Sequence, residues 1–144
     1  MADDRPTVTV YVTCHNYARF LAECLDSVFA QSLPNWELLI FDDGSTDDSR
    51  AIAEEYVTRS PSRVRLFSTE APRGLRSCAN DAIKAARGRY LMRLDADDYL
   101  DENALLVLAH RLDADRDLAL VYPNWTYIGE SGEVLGVERR KRLG

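Results

Sequence analysis

The sequence has no apolar run near the ~18–20 residues that a membrane-spanning helix needs, and no basic-then-apolar leader opens it. Its three cysteines, Cys14, Cys24 and Cys78, are odd in number and never stand as Cys-x-x-Cys, which argues against a zinc or dithiol site. Basic residues are outnumbered: 18 Lys and Arg against 24 Asp and Glu leave a net charge of −6, the wrong sign for general binding to nucleic acid. The one basic run, Arg139-Arg140-Lys141-Arg142, is expected to be a solvated tail, with a membrane-surface or partner contact as the alternative. Glycine-based phosphate cradles are missing too. No Gly-rich Lys-Ser/Thr loop is present, and no Gly-x-Gly-x-x-Gly follows the first apolar segment. No Ser-His-Asp arrangement stands out. Cys24 falls on an apolar helix stripe, so a buried, reduced thiol and a cytoplasmic setting are expected, the inner membrane face included.

What remains is an ordinary globular composition, 46% hydrophobic and 29% charged over 144 residues. That is one domain's length, able to bury roughly 70% of its unfolded surface. Thr7–Cys14 is β-branched and uninterrupted, as suits a strand covered on both faces. Leu21, Cys24, Leu25, Val28 and Phe29 then recur at helical spacing within Arg19–Gln31. Trp36–Phe41 reads as a second strand. Ser45 and Asp48, three apart, predict a capping box for a helix running to Arg59. Arg63–Ser68 is a third strand, and a Pro72-Arg73-Gly74 turn opens a helix stopped by Gly88. Tyr90–Leu94 is a fourth strand, Asp101–Leu112 a fourth helix and Leu118–Pro123 a fifth strand. A hairpin is expected around Ser131-Gly132. Alternation at these lengths predicts a doubly wound, mostly parallel α/β sheet in a single domain, with its core over about 7–123 and a hairpin and tail over 124–144.

In such a sheet ligands sit outside the carboxyl ends of the strands, where strand order reverses. Three predicted strands end in reactive-looking groups: Thr13, Cys14, His15 and Asn16; then Asp42, Asp43, Gly44 and Ser45; then Asp95, Asp97 and Asp98. Five carboxylates converging on one edge would repel one another and call for a shared cation. Oxygen-only ligands suit Mg²⁺ or Mn²⁺. Plainer readings compete. Asp98 or Asp101 could simply cap a helix, His15 could be a loop histidine, and Arg76 and Asn80 could be solvated or capping residues of the third helix. Strand alternation also puts Arg93 on the same face as Asp95, so an Arg93–Asp95 ion pair is the specific structural alternative to a metal site. An EF-hand register fails, because Leu100 and Leu106 stand where Gly and Glu are required.

The stretch from Val8 through "DDGSTDDS" closely resembles the opening of the inverting family-2 glycosyltransferases of GT-A fold. "RGLRSCANDAIKAARGRYLMRLDADD" resembles the segment leading to their Asp-x-Asp motif. The resemblance covers roughly Val8 to Pro123 and implies a nucleotide-sugar donor, most readily a UDP-sugar, and a saccharide or lipid-linked acceptor. It implies that Thr13, His15 and Asn16 border the nucleotide, that Asp43 with Asp42 beside it bonds the base, and that Asp95 touches ribose or metal-bound water. Asp97, with Asp95, would ligate the divalent ion. Many relatives carry Arg where Ala79 stands, so Arg76 is expected to serve the phosphates, beside Asn80. The family's general base lies downstream in an acceptor-binding half, and Glu130, Glu133 and Glu138 do not match its motif. The chain is therefore expected to be a donor-binding portion without that base. Two other classes stay open: a non-catalytic nucleotide-binding or interaction module, and an aspartate-dependent phosphoryl-transfer protein using Asp95-Ala96-Asp97.

Overall fold

The computed structural model describes residues 4–139, so Arg140, Lys141 and Arg142 of the basic run lie outside the described residues. Strand and helix alternate as the sequence pattern predicts: β1 (Val8–Cys14), α1 (Ala18–Phe29), β2 (Trp36–Asp43), α2 (Ser49–Arg59), β3 (Val64–Thr69), α3 (Leu75–Ala85), β4 (Tyr90–Asp95) and α4 (Ala104–Ala114). A hairpin of β5 (Trp125–Ile128) and β6 (Val134–Glu138) follows, turning through Gly132 at φ 82°.

The four long strands form one parallel sheet in the order β3-β2-β1-β4. The first two crossovers step outward from β1 to β3; the third brings the chain back to the far side of β1. Side-chain parity divides the layers. Val8, Val10 and Val12 of β1, with Leu38 and Ile40 of β2, pack against Leu21, Leu25 and Val28 of α1, Ala53 and Tyr56 of α2 and Leu105 of α4. Tyr11, Leu39 and Phe41 point the other way and meet Cys78 and Ala82 of α3. Helices cover both faces, so the sheet is doubly wound and every residue of β2 is buried. All three cysteines are free and buried. Among the described residues no helix is long and apolar enough to cross a membrane.

Two expectations fail. Leu118–Pro123 forms no strand: the sheet ends at β4, the segment joins no ladder, and Leu120 is 74% exposed. An extended apolar run becomes a strand only when a neighbour takes its backbone groups. The Ser45/Asp48 capping box is also absent. Asp48 is the N-cap of α2 but makes no side-chain cap bond. The Ser45 hydroxyl instead accepts the Asn16 N–H at 3.0 Å, and Asp47 accepts the amides of Ala18 and Ser49. The loop's polar groups tie α1 to α2 rather than closing one helix end.

A buried charge anchors the α3 face. Glu37 is 4% exposed, and its carboxylate accepts the Thr9 hydroxyl at 2.7 Å, the Arg87 amide at 2.6 Å and the Arg65 guanidinium at 3.0 Å. Those bonds join β1, β2, β3 and the end of the third crossover. Beside them, Gly88 passes so close to β1 that an added Cβ would stand 2.4 Å from the Thr9 backbone nitrogen. Only glycine fits. Burial pushes the Glu37 pKa up, but the bonds from Thr9, Arg87 and Arg65 outweigh it and hold the carboxyl below its ordinary 4.5. Its stabilisation is thus present above about pH 4.5 and is lost as pH falls through the lowered folded-state value. Glu37→Ala should destabilise the fold by about 3 kcal/mol in urea titrations. The variant should also show a flatter acid limb than the parent; parallel acid limbs would contradict the anchor.

Candidate functional site

The reversal of strand order falls between β1 and β4, where Thr13 stands opposite Asp95 in the parallel register. Beyond these two residues the strands part, and a cleft of about 320 Å³ opens between them. Its walls include Thr13, His15, Asp43, Arg93, Asp95 and Asp97. Thr13, Asp43, Arg93 and Asp95 share the strand parity of the α3-facing residues, and that common face is why they meet.

Parity also separates Asp42 from Asp43. Asp42 points to the opposite face, is 2% exposed, and its Oδ1 receives the Ser45 amide at 3.3 Å. It does not line the cleft. Asp43 does, with its carboxylate turned to the loop before α3: Oδ1 accepts the Arg73 N–H and Oδ2 the Gly74 N–H, each at 2.8 Å. Burial opposes ionisation of Asp43, but those two amides and the Thr69 hydroxyl prevail and lower its pKa. Gly44 lets the loop come near. At φ 70°, a Cβ there would stand 2.7 Å from the Ala71 carbonyl carbon and Pro72 nitrogen. The Pro72-Arg73-Gly74 turn, read from sequence as a helix start, is therefore also the hydrogen-bond partner of a site acid.

The loop after β1 is fixed in the same manner. His15 donates from Nδ1 to the Asp43 carbonyl oxygen at 2.8 Å, leaving Nε2 to accept from Asn16 at 3.4 Å. Asn16, at φ 59°, accepts the Thr46 amide at 2.7 Å through Oδ1. Its side chain thus ties two loops together, and Asn16 is not among the residues lining the cleft. Arg76 and Asn80 are exposed on α3 and also lie outside the lining. Leu75 and Cys78 of α3, and Tyr17, take the wall instead. Burial pushes the Cys78 and Cys14 thiols up in pKa, so neither is a thiolate nucleophile.

At the end of β4 the ion pair expected from alternation is formed: Arg93 Nε and Nη2 lie 2.8 and 2.6 Å from Asp95 Oδ1. Asp97 is exposed beyond it, with no hydrogen-bond or ion-pair partner among the described residues. Asp98 caps no helix; α4 begins at Ala104, three residues past Asp101, whose Oδ1 accepts the Asn103 amide. Burial first, then the charges of Asp97 and Asp95, raise the Asp98 pKa, with Arg93 offsetting part. The repulsion read from the sequence is present. The five strand-end carboxylates do not gather into a cage, since Asp42 and Asp43 are engaged elsewhere, and among the described residues no group of three or more His, Cys, Asp or Glu could hold a metal ion. Asp95 and Asp97 make an oxygen-only, two-carboxylate set that fits a Mg²⁺- or Mn²⁺-type ion keeping water and phosphate oxygens in its shell.

On the other side of Asp97 lies a second cleft of about 380 Å³, formed by Phe20, Glu23, Asp98 and Tyr99 against the turn of the β5–β6 hairpin. Arg19 of α1 bonds Glu130 of that turn at 3.1 Å. The sequence pattern signalled the hairpin but not its place beside the acidic motif.

Known proteins supply the context for this geometry. Residues 9–141 match the model of the family described as "Glycosyl transferase family 2". The chain is 33% identical over 130 residues to a chondroitin synthase of Escherichia coli, covering 90% of this chain and 19% of that protein. Against a hyaluronan synthase of Pasteurella multocida the identity is 32%, with 90% and 13% covered. Among solved structures, S. aureus TarS 1-349 in complex with UDP-GlcNAc superposes with a TM-score of 0.69 at 29% identity, over 75% of this chain and 31% of that one. The mannosyltransferase PcManGT from Pyrobaculum calidifontis, in complex with GDP-Man and Mn²⁺, gives 0.63 at 30% identity, over 73% and 31%. The chain thus spans less than a third of these relatives' lengths. With a doubly wound sheet of the kind those enzymes carry and a family match over nearly its whole length, the chain belongs to glycosyl transferase family 2.

Proposed function

We propose that this chain holds the nucleotide-diphosphate end of a sugar donor in the β1/β4 cleft, for transfer of the sugar with inversion to a saccharide or lipid-linked acceptor. The observation that carries the reading is the convergence of Thr13, Asp43, Asp95 and Asp97 at the reversal of strand order, the place where doubly wound sheets take their ligands. Thr13, with His15 behind it, borders the base and ribose, and Asp43 offers its carboxylate to the base. Asp97, with Asp95, would hold the divalent cation, which when bound neutralises charge on the departing diphosphate. Uridine is the favoured base. The likeness to a UDP-GlcNAc complex supports it, and the likeness to a GDP-Man complex makes guanosine the alternative.

The second cleft, with Phe20 and Tyr99 beside Glu23 and Asp98, offers the apolar faces and carboxylates that suit a sugar ring and its hydroxyls. Two carboxylates of the hairpin are paired: Glu130 with Arg19, and Glu133 with the Ser131 amide. Neither these two nor Glu138 matches the motif from which the family's general base is expected, so none is assigned the deprotonation of an acceptor. Donor binding is accordingly separable from transfer in this chain.

Calorimetric titration with UDP should give Mn²⁺- or Mg²⁺-dependent binding; silence with every nucleoside diphosphate, whatever the divalent ion, would contradict the assignment. Asp97→Asn should abolish the gain that the metal brings, roughly tenfold or more in affinity, and leave the circular dichroism spectrum unchanged. Metal dependence that survives in Asp97→Asn would move the cation elsewhere.

A further inference from the structure

Among the described residues lining the β1/β4 cleft, Arg93 is the only Lys or Arg. Two of its nitrogens converge on one oxygen of Asp95, at 2.8 and 2.6 Å, and each side chain of the pair is 43% exposed. Asp97 follows at the rim of the same cleft. This arrangement has an electrostatic consequence. One carboxylate of the two-carboxylate set already carries its counter-charge, and a fixed guanidinium nearby disfavours a second cation.

A half-exposed ion pair is weak and exchangeable. The guanidinium fork also accepts phosphate as readily as carboxylate, since both offer paired oxygens. A diphosphate in this cleft brings more negative charge than one aspartate. It is the stronger partner for Arg93, and its arrival would free Asp95 to face a cation beside Asp97.

We propose that Arg93 is a positioning residue that holds Asp95 while the cleft is free and transfers to the diphosphate when nucleotide enters, so that nucleotide and divalent cation bind synergistically. The proposal rests on the donor-binding reading above. Its logic is linkage: a ligand that draws Arg93 off Asp95 raises cation affinity, and the cation raises affinity for that ligand by the same factor. Metal affinity would then stay low without nucleotide.

The test measures Mn²⁺ alone by electron paramagnetic resonance, UDP alone in chelator by calorimetry, and each in the presence of the other. The proteins are the parent, Arg93→Gln, Arg93→Lys, Asp95→Asn and the Arg93→Gln/Asp95→Asn double variant. Arg93→Gln should bind Mn²⁺ alone roughly threefold to tenfold more tightly, bind UDP in chelator more weakly by a similar factor, and show a reduced coupling factor. Arg93→Lys, which keeps the charge but not the fork, should fall between. In the Asp95→Asn background the gain in Mn²⁺ affinity should vanish, which a purely structural role for Arg93 does not predict. If the parent binds UDP with Mn²⁺ but Arg93→Gln leaves both the Mn²⁺ affinity and the coupling unchanged, the role of Arg93 is overturned while the donor-binding reading stands. If the parent binds no nucleoside diphosphate, both are overturned.

Discussion

At the carboxyl end of the sheet, β1 and β4 run side by side as far as Thr13 and Asp95 and then part into the loops that lead to α1 and α4. Backbone groups that would have continued the ladder give way to loops and to an opening. The third crossover must also return past β2 and β1 to create that opening, and a buried carboxylate holds it there. Glu37 gathers Thr9, Arg65 and the Arg87 amide. Gly88 lets the returning backbone lie against β1 without a side chain between.

The electrostatics of the cleft follow from the same topology. Strand parity sends Thr13, Asp43, Arg93 and Asp95 to one face and Asp42 to the other. Of the acids that could face a ligand, Asp43 is already held by the amides of Arg73 and Gly74, and Asp95 by Arg93. Asp97 remains, beside Asp98, whose raised pKa records burial and the unrelieved charge of its neighbours. An acidic edge that the protein itself neutralises only in part is suited to a cation that arrives with its own anionic partner. The same edge separates two clefts, one between β1 and β4 and one under the hairpin, so with a nucleotide in the first, as proposed, a bond at the diphosphate would lie between them.

The order of elements was legible in the sequence because apolar periodicity and the Pro and Gly stops are local, and the four paired strands and four helices stand where those signals put them. The Arg93–Asp95 pair was legible for the same reason, being a matter of alternation along one strand. Contacts between loops were not. Nothing local says that Asn16 will accept the Thr46 amide, that Asp47 will bind the start of α1, or that the Pro72-Arg73-Gly74 turn will present two amides to Asp43. Leu118–Pro123 misled because a short apolar run signals willingness to pair, whereas a strand also needs a neighbour. Arg76 and Asn80 were drawn to the site by sequence position in α3, but the helix turns them outward and gives the wall to Leu75 and Cys78.

The central claim is that a divalent cation and a nucleoside diphosphate share the β1/β4 cleft, with Asp97 as the fixed metal ligand and Asp42 uninvolved. A crystal structure of the chain soaked with UDP and Mn²⁺, the metal located by its anomalous scattering, tests it most directly. The account predicts one manganese peak bonded to Asp97 and to phosphate oxygens, with the base near Asp43 and Thr13. A manganese ion bound at Asp42, or a nucleotide seated outside this cleft, would contradict it.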